Sequence, residues 1–200
     1  MAKGKKTSAP KPSEAPLVLT KANGGSWDAE ADVIVVGFGG AGACAALEAK
    51  AEGAKVLVLD RFHGGGATAI SGGVFYAGGG THIQQEAGVE DDADAMYRYL
   101  SLEVKGVVSD ETLRDFCDRS VENLGWLEGH GVPFEASLCP YKTSYPTDDY
   151  YLYYSGNEGF SPYKDAAKPA PRGHRAMGAG LPGESFYEPL RASAAVSYTH

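Results

Sequence analysis

A short β-branched run enters a glycine-rich turn at residues 33–42, where the sequence is VIVVGFGGAG. The glycines Gly37, Gly39 and Gly42 have the spacing G-x-G-x-x-G, which is typical of a strand that turns into a helix beneath a pyrophosphate. Gly37 permits the tight turn, Gly39 lets a phosphate approach the backbone, and Gly42 lets the helix pack close to the strand. The pattern predicts a β-α-β unit that binds a dinucleotide; the alternative is a β-α-β unit with a purely structural role.

The segments around this turn agree with such a unit. An alanine-rich helix is predicted over residues 41–52, and Gly53 is placed to end it. Residues 55–59 (KVLVL) predict a buried parallel strand, and Asp60 follows it, 18 residues after Gly42. A carboxylate about 20 residues beyond the glycines is typical of the group that binds a ribose hydroxyl. Its negative charge repels a 2′-phosphate, so the pattern disfavours NADP.

The segment after Asp60 separates two kinds of dinucleotide. Eight glycines fall between Gly64 and Gly80, which is too many for a helix of ordinary stability. We expect an extended loop whose backbone N–H groups reach a phosphate or a flat ring, and a flavin offers both. A flexible linker is the alternative, but the apolar run Val74-Phe75-Tyr76 favours an ordered loop. The loop therefore favours FAD over NAD.

Three segments in this order resemble a known family: DVIVVGFGGAG, VLVLDR and GGGATAISGG. They are similar to the N-terminal part of the fumarate reductase and 3-ketosteroid dehydrogenase family of FAD-dependent oxidoreductases, and the third segment is closer to the ketosteroid dehydrogenases. The resemblance covers about residues 32–194. It implies an α/β fold class, with an incomplete Rossmann-like FAD-binding domain and the start of an inserted α+β substrate cap domain.

The resemblance also implies a cofactor site and a division of the chain. The residues expected to bind FAD are Gly37, Phe38, Gly39, Gly40, Ala41, Gly42, Asp60, Arg61, Gly65, Gly66, Ala67, Thr68, Ser71, Gly72 and Gly73. The expected segments are a disordered tail (1–29), the first part of the FAD-binding domain (30–105), a helical segment with the start of the cap (106–169) and a return toward the FAD domain (170–200). A complete member continues with further strands, so we expect an N-terminal fragment. Residues 195–200 (AVSYTH) depart from the family pattern and are candidates for foreign sequence.

A tyrosine-rich segment supplies the candidate catalytic residues. Six of the twelve tyrosines lie within residues 141–154. A phenol has an apolar ring and a polar tip, which suits a flat, apolar substrate with one carbonyl, and a phenol also serves as a proton donor or base. The resemblance implies an active-site tyrosine here, and Tyr145 and Tyr151 are the candidates. The alternative is an aromatic β-hairpin through YYLYY that packs the cap on the FAD domain.

The activity that the resemblance implies is that of a 3-ketosteroid dehydrogenase. A hydride passes from a saturated ring carbon to flavin N5, and a tyrosine takes the proton next to the ketone. The expected partners are a small apolar 3-ketosteroid and an electron acceptor. Two alternatives stay open: a fumarate- or urocanate-type reductase of an enoate, and a flavin-binding fragment without catalysis. Arg172, His174 and Arg175 are candidates for contact with a carboxylate or the flavin, or for a structural role.

Sequence patterns predict further helices in the middle of the chain and near residue 190. One helix is expected over residues 91–102, and another begins after Ser109 as its N-cap. The buried face of this second helix is predicted to be Leu113, Phe116, Cys117, Val121, Leu124 and Leu127. Residues 131–134 predict a turn into a short strand, and residues 184–194 predict a helix.

Composition excludes some classes of function. The formal net charge of −8 disfavours a general nucleic-acid partner. The sequence has no apolar run near the ~18 residues that span a bilayer, and residues 1–15 lack the apolar core of a secretory signal. Cys44, Cys117 and Cys139 have no ligand spacing and predict free thiols in a reducing cytoplasm. The five histidines are scattered, so no metal site is predicted.

Overall fold

The computed structural model describes residues 27–196, with the backbone alone for the last two of them. The predicted tail lies outside this range except for residues 27–29, as do residues 197–200. The chain divides after Glu30, and every helix and strand given below follows that point. In chain order these elements are β1 (Val33–Val36), α1 (Gly40–Ala51), β2 (Val56–Leu59), α2 (Gly66–Ala69), β3 (Val74–Tyr76), α3 (His82–Glu86), α4 (Ala93–Val104), α5 (Asp110–Asp118), α6 (Ser120–Gly129), β4 (Leu152–Tyr153), α7 (Tyr163–Ala166), β5 (Gly173–Arg175) and α8 (Gly183–Val196).

The predicted β-α-β unit is formed by β1, α1 and β2. The two strands are parallel, and their register runs from Val33 opposite Val56 to Val36 opposite Leu59. Full burial of β2, which its apolar sequence predicts, is wrong because Leu59 is 48% exposed; in the neighbouring strand β1, Val36 is 83% exposed. Helix α1 contacts both strands, but among the described residues this sheet has no third strand to cover the rest of its apolar surface.

A second sheet has three antiparallel strands in the order β3-β5-β4. Tyr76 and Tyr153 lie opposite Gly173 from its two sides. The local hairpin predicted as an alternative through YYLYY is wrong, because β4 has two residues and pairs with the distant β5. The three strands come from three different segments of the four that the sequence predicts, 30–105, 106–169 and 170–200. The boundaries of those segments stay a prediction.

The largest core cluster joins α8 to α1. Ala43 and Leu47 of α1 pack with Tyr187, Leu190 and Ala194 of α8, and all five side chains are buried. Leu127 of α6, Val132 just after that helix and Ala176 just after β5 complete the cluster. Helix α8, predicted over residues 184–194, therefore holds the end of the described chain against the β-α-β unit.

The second predicted helix is divided at Arg119 into α5 and α6. Ser109 is the N-cap of α5, as predicted, because its Oγ accepts a hydrogen bond from the Thr112 N–H at 3.2 Å. The break changes the phase of the helical face. As a result Leu113 and Leu124 are buried as predicted, but Val121 is 42% exposed.

Two shorter segments also differ from their sequence patterns. The glycine-rich loop contains one helical turn, α2, and is followed by α3, whose N-cap Thr81 forms a capping box with Gln84. The strand predicted at residues 131–134 does not form. Instead, the Val132 N–H donates to the Leu127 carbonyl at 3.1 Å and closes the end of α6.

Two kinds of feature are absent from residues 27–196. No helix in that part of the chain is long and apolar enough to cross a bilayer. No group of three or more histidine, cysteine, aspartate or glutamate side chains there is arranged to hold a metal ion. Cys44, Cys117 and Cys139 carry no disulfide.

Strand β5 places a fully buried histidine in a neutral hydrogen-bond network. His174 Nδ1 lies 3.1 Å from the Arg172 carbonyl, and Nε2 lies 2.9 Å from Thr81 Oγ1. Thr81 Oγ1 already accepts from the Gln84 N–H at 3.1 Å. Nδ1 donates to the Arg172 carbonyl, and in the neutral imidazole Nε2 then accepts the proton of the Thr81 hydroxyl. Burial lowers the pKa of His174 to about 4.

We expect the protein to lose stability between pH 7 and pH 5 because of His174. The unfolded chain binds a proton at the ordinary pKa of about 6.5, whereas the folded chain does so near 4, so acid favours unfolding. The whole effect is about 3 kcal/mol, and roughly 2 kcal/mol of it falls between pH 7 and pH 5. Urea unfolding followed at both pH values measures it. His174→Gln should remove most of this pH dependence, and His63→Gln, at an exposed position, should retain it; equal pH dependence in both variants would refute the assignment.

Candidate functional site

The glycine turn after β1 presents the N-terminus of α1. Gly37 has φ of 94°, in the left-handed region that favours glycine. Gly39 is the N-cap residue and makes no side-chain capping bond. The Gly40 N–H donates to Thr68 Oγ1 at 3.1 Å. A helix N-terminus carries a partial positive charge and unpaired N–H groups, so this end of α1 is suited to an anionic phosphate.

Close packing requires glycine at position 42, as the sequence pattern predicts. A Cβ at this position would lie 1.9 Å from the Gly37 carbonyl oxygen and 3.4 Å from Val35 Cγ1. The first turn of α1 therefore lies directly against the turn from β1, and a side chain would separate them. This contact fixes the helix N-terminus at the end of the strand.

Asp60 lies at the end of β2, beside the same turn. Its Oδ2 accepts from the Phe38 N–H at 2.6 Å, and its Oδ1 accepts from the Phe62 N–H at 2.8 Å. These two backbone hydrogen bonds hold the pKa of Asp60 below its ordinary value. The exposed carboxylate is therefore ionised at neutral pH and remains accessible to a ribose hydroxyl.

The glycine-rich loop adjoins the phosphate turn. The Phe38 carbonyl accepts from the Gly65 N–H at 2.8 Å and from Tyr187 Oη at 2.6 Å. A parallel bridge pairs Gly39 with Gly65. The structure thus brings together three of the predicted groups: residues 37–42, Asp60 and residues 65–68.

The remaining predicted FAD residues extend along the same loop. Ser71 Oγ donates to the Thr68 carbonyl at 2.8 Å and accepts from the Gly73 N–H at 3.1 Å, which fixes the turn. Ala41 and Ala67 are exposed near the two helix starts. Arg61 is exposed as well, but its guanidinium lies 4.7 Å from the centre of the Phe62 ring.

A cleft of about 460 Å³ opens beside Asp60. It contains several residues that the sequence analysis did not select, and its lining consists of Phe38, Leu57, Val58, Asp60, Phe62, His63, Gly64 and Arg191. Phe62 and His63 follow Asp60 directly, so their position in the chain was a usable signal. Arg191 comes from α8, and no local pattern connects it with this cleft.

The two candidate catalytic tyrosines flank one buried arginine. The guanidinium carbon of Arg175 lies 4.9 Å from the ring centre of Tyr145 and 5.1 Å from that of Tyr151. Tyr145 Oη accepts from Arg175 Nε at 2.8 Å and lies 2.8 Å from the Gly72 carbonyl, to which it donates. Tyr151 Oη has a longer contact, 3.5 Å, to the Gly178 carbonyl. The structure therefore brings both tyrosines against Arg175, and of the two it is Tyr145 that contacts the glycine loop.

The other tyrosines of the segment serve packing. Tyr153 is buried in β4, and its ring meets that of Tyr145 edge to face with centres 6.4 Å apart. Burial raises the pKa of Tyr153 to about 12, so its hydroxyl stays protonated at neutral pH. Tyr141 and Tyr150 form a second edge-to-face pair at 6.0 Å.

A family model described as an FAD binding domain matches residues 32–180. The chain belongs to this FAD binding domain family. The curated 3-oxo-5-alpha-steroid 4-dehydrogenase of Comamonas testosteroni is 50% identical over 170 residues, which cover 84% of the chain and 32% of the relative. A 3-oxosteroid 1-dehydrogenase of Mycolicibacterium smegmatis is 32% identical over 155 residues, or 77% of the chain and 26% of the relative.

Solved structures of members with different activities share this fold. The crystal structure of a 3-ketosteroid-Δ4-(5α)-dehydrogenase from Rhodococcus jostii RHA1, in complex with 4-androstene-3,17-dione, matches with a TM-score of 0.83 and 39% identity over 89% of the chain and 38% of that protein. A flavocytochrome c3 fumarate reductase in an open conformation matches with a TM-score of 0.65 and 27% identity over 84% of the chain and 25% of that protein. The predicted family, the FAD cofactor and the α/β fold class are confirmed. The chain spans about a third of its first curated relative, at 32% of that length.

The described residues fit the ADP part of FAD. The N-terminus of α1 is suited to the pyrophosphate, and the ionised Asp60 is suited to a ribose hydroxyl beside the cleft. The loop at residues 65–73 continues from the phosphate turn toward Tyr145.

Proposed function

We propose that the protein is an FAD-dependent oxidoreductase that removes hydrogen from adjacent carbons of a 3-ketosteroid. The observation that carries this proposal is the 50% identity, over 84% of the chain, to a 3-oxo-5-alpha-steroid 4-dehydrogenase. At 84% coverage of the chain, the aligned stretch includes the phosphate turn, the glycine loop and the tyrosine-rich segment.

The electrostatics of the described residues support an uncharged substrate. Arg172 is fully buried and paired with Asp91 at 2.7 Å. Arg175 is fully buried as well, and its ion-pair partner is Asp148. Each guanidinium that the sequence offered for a substrate carboxylate is thus already neutralised by a carboxylate of the chain itself. A dicarboxylate such as fumarate gains no free buried cation from this part of the protein.

The chain's own residues have distinct roles in the proposed reaction. The N–H groups at the start of α1 hold the pyrophosphate, Asp60 holds a ribose hydroxyl, and the loop at residues 65–73 supports the flavin. FAD supplies the two-electron redox chemistry when it is bound. Tyr145 and Tyr151 are the two candidates for substrate-side work. Tyr151 is the better placed to move a proton, because its single carbonyl contact is 3.5 Å long, whereas the Tyr145 hydroxyl is already engaged by Arg175 and the Gly72 carbonyl.

The proposal includes two further partners and a location. A dehydrogenation leaves two electrons to remove, so the protein requires an electron acceptor. The substrate is expected to be flat and apolar with one ketone, because the ketone acidifies the proton on the neighbouring carbon. The cytoplasm is the proposed compartment, from the three cysteines that carry no disulfide.

Reduction of an enoate is the second candidate activity. The observation that favours it is the match to a flavocytochrome c3 fumarate reductase with a TM-score of 0.65. A third candidate, flavin binding without catalysis, applies to these 200 residues taken alone.

Two activity assays test the proposal with the protein produced from its natural gene: oxidation of a ketosteroid by a dye, and reduction of fumarate by a reduced dye. A saturated 5α-3-ketosteroid should reduce an artificial dye in the presence of the protein, and the matching 3-hydroxysteroid should not, because it lacks the carbonyl. Fumarate should not reoxidise a reduced dye. Turnover with fumarate but not with the ketosteroid would favour the enoate reductase, and bound FAD without either activity would favour the non-catalytic candidate.

A further inference from the structure

Arg175 connects three segments of the chain near the glycine loop. It has no exposed side-chain surface. Its Nε donates to Tyr145 Oη at 2.8 Å. The terminal nitrogens donate to Asp148 Oδ1 and to the carbonyls of Thr147 at 3.0 Å, Gly178 at 3.1 Å and Gly180 at 2.9 Å. One side chain therefore fixes the tyrosine-rich segment and the turn at residues 178–180.

The charge of Arg175 is balanced inside the chain. Asp148 is its counter-charge, and this carboxylate also accepts from the Gly180 N–H at 3.0 Å. Burial lowers the pKa of Arg175, but the hydrogen bonds and charges of Asp148 and Tyr145 together outweigh burial and raise the pKa above its ordinary value. Arg175 is consequently a permanent cation whose donors are directed at groups of the protein.

Tyr145 carries the effect of Arg175 to the glycine loop. Its hydroxyl lies 2.8 Å from the Gly72 carbonyl and 3.0 Å from the Gly180 carbonyl, and its single proton serves one of them at a time. The ring packs directly on the loop, because a Cβ at Gly72 would lie 2.6 Å from Tyr145 Cε2. The loop therefore rests on Tyr145 through a hydrogen bond and through ring contact.

We propose that Arg175 is a positioning residue that sets the Gly72 turn of the flavin loop through Tyr145. The inference rests on the proposed FAD site. It assigns Tyr145 to the support of the cofactor loop, and it leaves Tyr151 as the candidate for proton transfer. Arg175 acts without touching the substrate.

Three variants and one control test this role in the protein from its natural gene. Tyr145→Phe keeps the ring and removes the hydroxyl, Arg175→Met removes the charge and the donors, and the third variant combines both. Tyr141→Phe is the matched control, since Tyr141 belongs to the same segment and is 49% exposed. The readouts are the Kd for FAD and the hydrogen–deuterium exchange of the apoprotein peptide over residues 70–77.

Tyr145→Phe should weaken FAD binding by roughly tenfold and speed exchange in residues 70–77 by a similar factor, as expected for one lost hydrogen bond. Arg175→Met should have at least this effect, because it also removes the hydrogen bonds to Asp148 and to the turn at residues 178–180. Both substitutions change FAD binding through the Gly72 carbonyl. The Kd of the combined variant for FAD should therefore be no higher than that of the single variant that binds FAD more weakly. Tyr141→Phe should match the unchanged protein. If Arg175→Met fails to fold, the result for Tyr145→Phe tests the proposal alone, because that substitution removes a single oxygen atom and keeps the packed ring.

Unchanged FAD affinity and unchanged exchange in Tyr145→Phe would overturn the proposal. So would additive losses in the combined variant, or a raised KM for the ketosteroid at unchanged FAD affinity, which would place the pair at the substrate. Both readouts are independent of the substrate. If the protein binds FAD but oxidises no ketosteroid, the proposed function fails and the role of Arg175 is still decided.

Discussion

Replacing Gly42 with alanine is expected to weaken FAD binding by at least 100-fold. The new Cβ would lie 1.9 Å from the Gly37 carbonyl oxygen and 3.0 Å from its carbonyl carbon. Both are backbone atoms of the phosphate turn, so the start of α1 must move away from β1. A displaced helix N-terminus no longer directs its N–H groups at the pyrophosphate. A 100-fold loss corresponds to about 2.7 kcal/mol of binding free energy.

Gly125→Ala is the matched control for Gly42→Ala. Gly125 lies inside α6, and a Cβ there meets nothing within 4 Å. Alanine in a helix interior is favoured over glycine by up to about 1 kcal/mol. The control should therefore keep its FAD affinity and gain stability. Titration of each apoprotein with FAD measures the effect, and a Kd for Gly42→Ala within threefold of the unchanged protein would show that the close contact does not position the cofactor.

Arg172→Met is expected to lower the free energy of unfolding by about 3–5 kcal/mol. The guanidinium donates to Asp91 through Nε at 2.9 Å and Nη2 at 2.7 Å, and both side chains are essentially excluded from water. Burial raises the pKa of Asp91, but the hydrogen bonds and charge of Arg172 lower it below its ordinary value. Methionine fills much of the space but leaves the buried carboxylate without its cation.

Two further variants test whether the loss of stability in Arg172→Met comes from the buried ion pair. Arg172→Met combined with Asp91→Asn should recover part of the loss, because an uncompensated buried charge costs more than a neutral pair. Arg114→Met removes ion pairs with Asp94 and Asp118 at the surface, where Arg114 is 38% exposed, and should cost at most about 1 kcal/mol. Urea unfolding at pH 7 measures all three. A loss for Arg172→Met as small as that for Arg114→Met would contradict the account.

The local geometry of the candidate cofactor site was predictable because its signals are local. The spacing of Gly37, Gly39 and Gly42 has a direct steric cause, and Asp60 ends the strand that pairs with β1. Sequence alone placed the helix ends well where a capping side chain marks them, as at Ser109. The break at Arg119 has no glycine or proline to signal it, so the two helices after Ser109 looked like one.

Contacts between distant residues were not predictable from sequence. Tyr145 and Gly72 are 73 positions apart, and nothing in either segment specifies that one hydroxyl bonds to the other's carbonyl. The same holds for the Arg172–Asp91 pair, whose members are 81 positions apart. Residue types suggested that these arginines meet a carboxylate, but tertiary packing decided that the carboxylate is the chain's own.

The anaerobic absorbance spectrum of the protein from its natural gene tests the central proposal most directly. An oxidised flavin absorbs at about 450 nm, and its two-electron reduction removes that band. Addition of a saturated 5α-3-ketosteroid should bleach the band without any other reductant, and the 3-hydroxysteroid should leave it unchanged. A flavin band that the ketosteroid does not bleach, but that fumarate restores after chemical reduction, would contradict the proposed dehydrogenase.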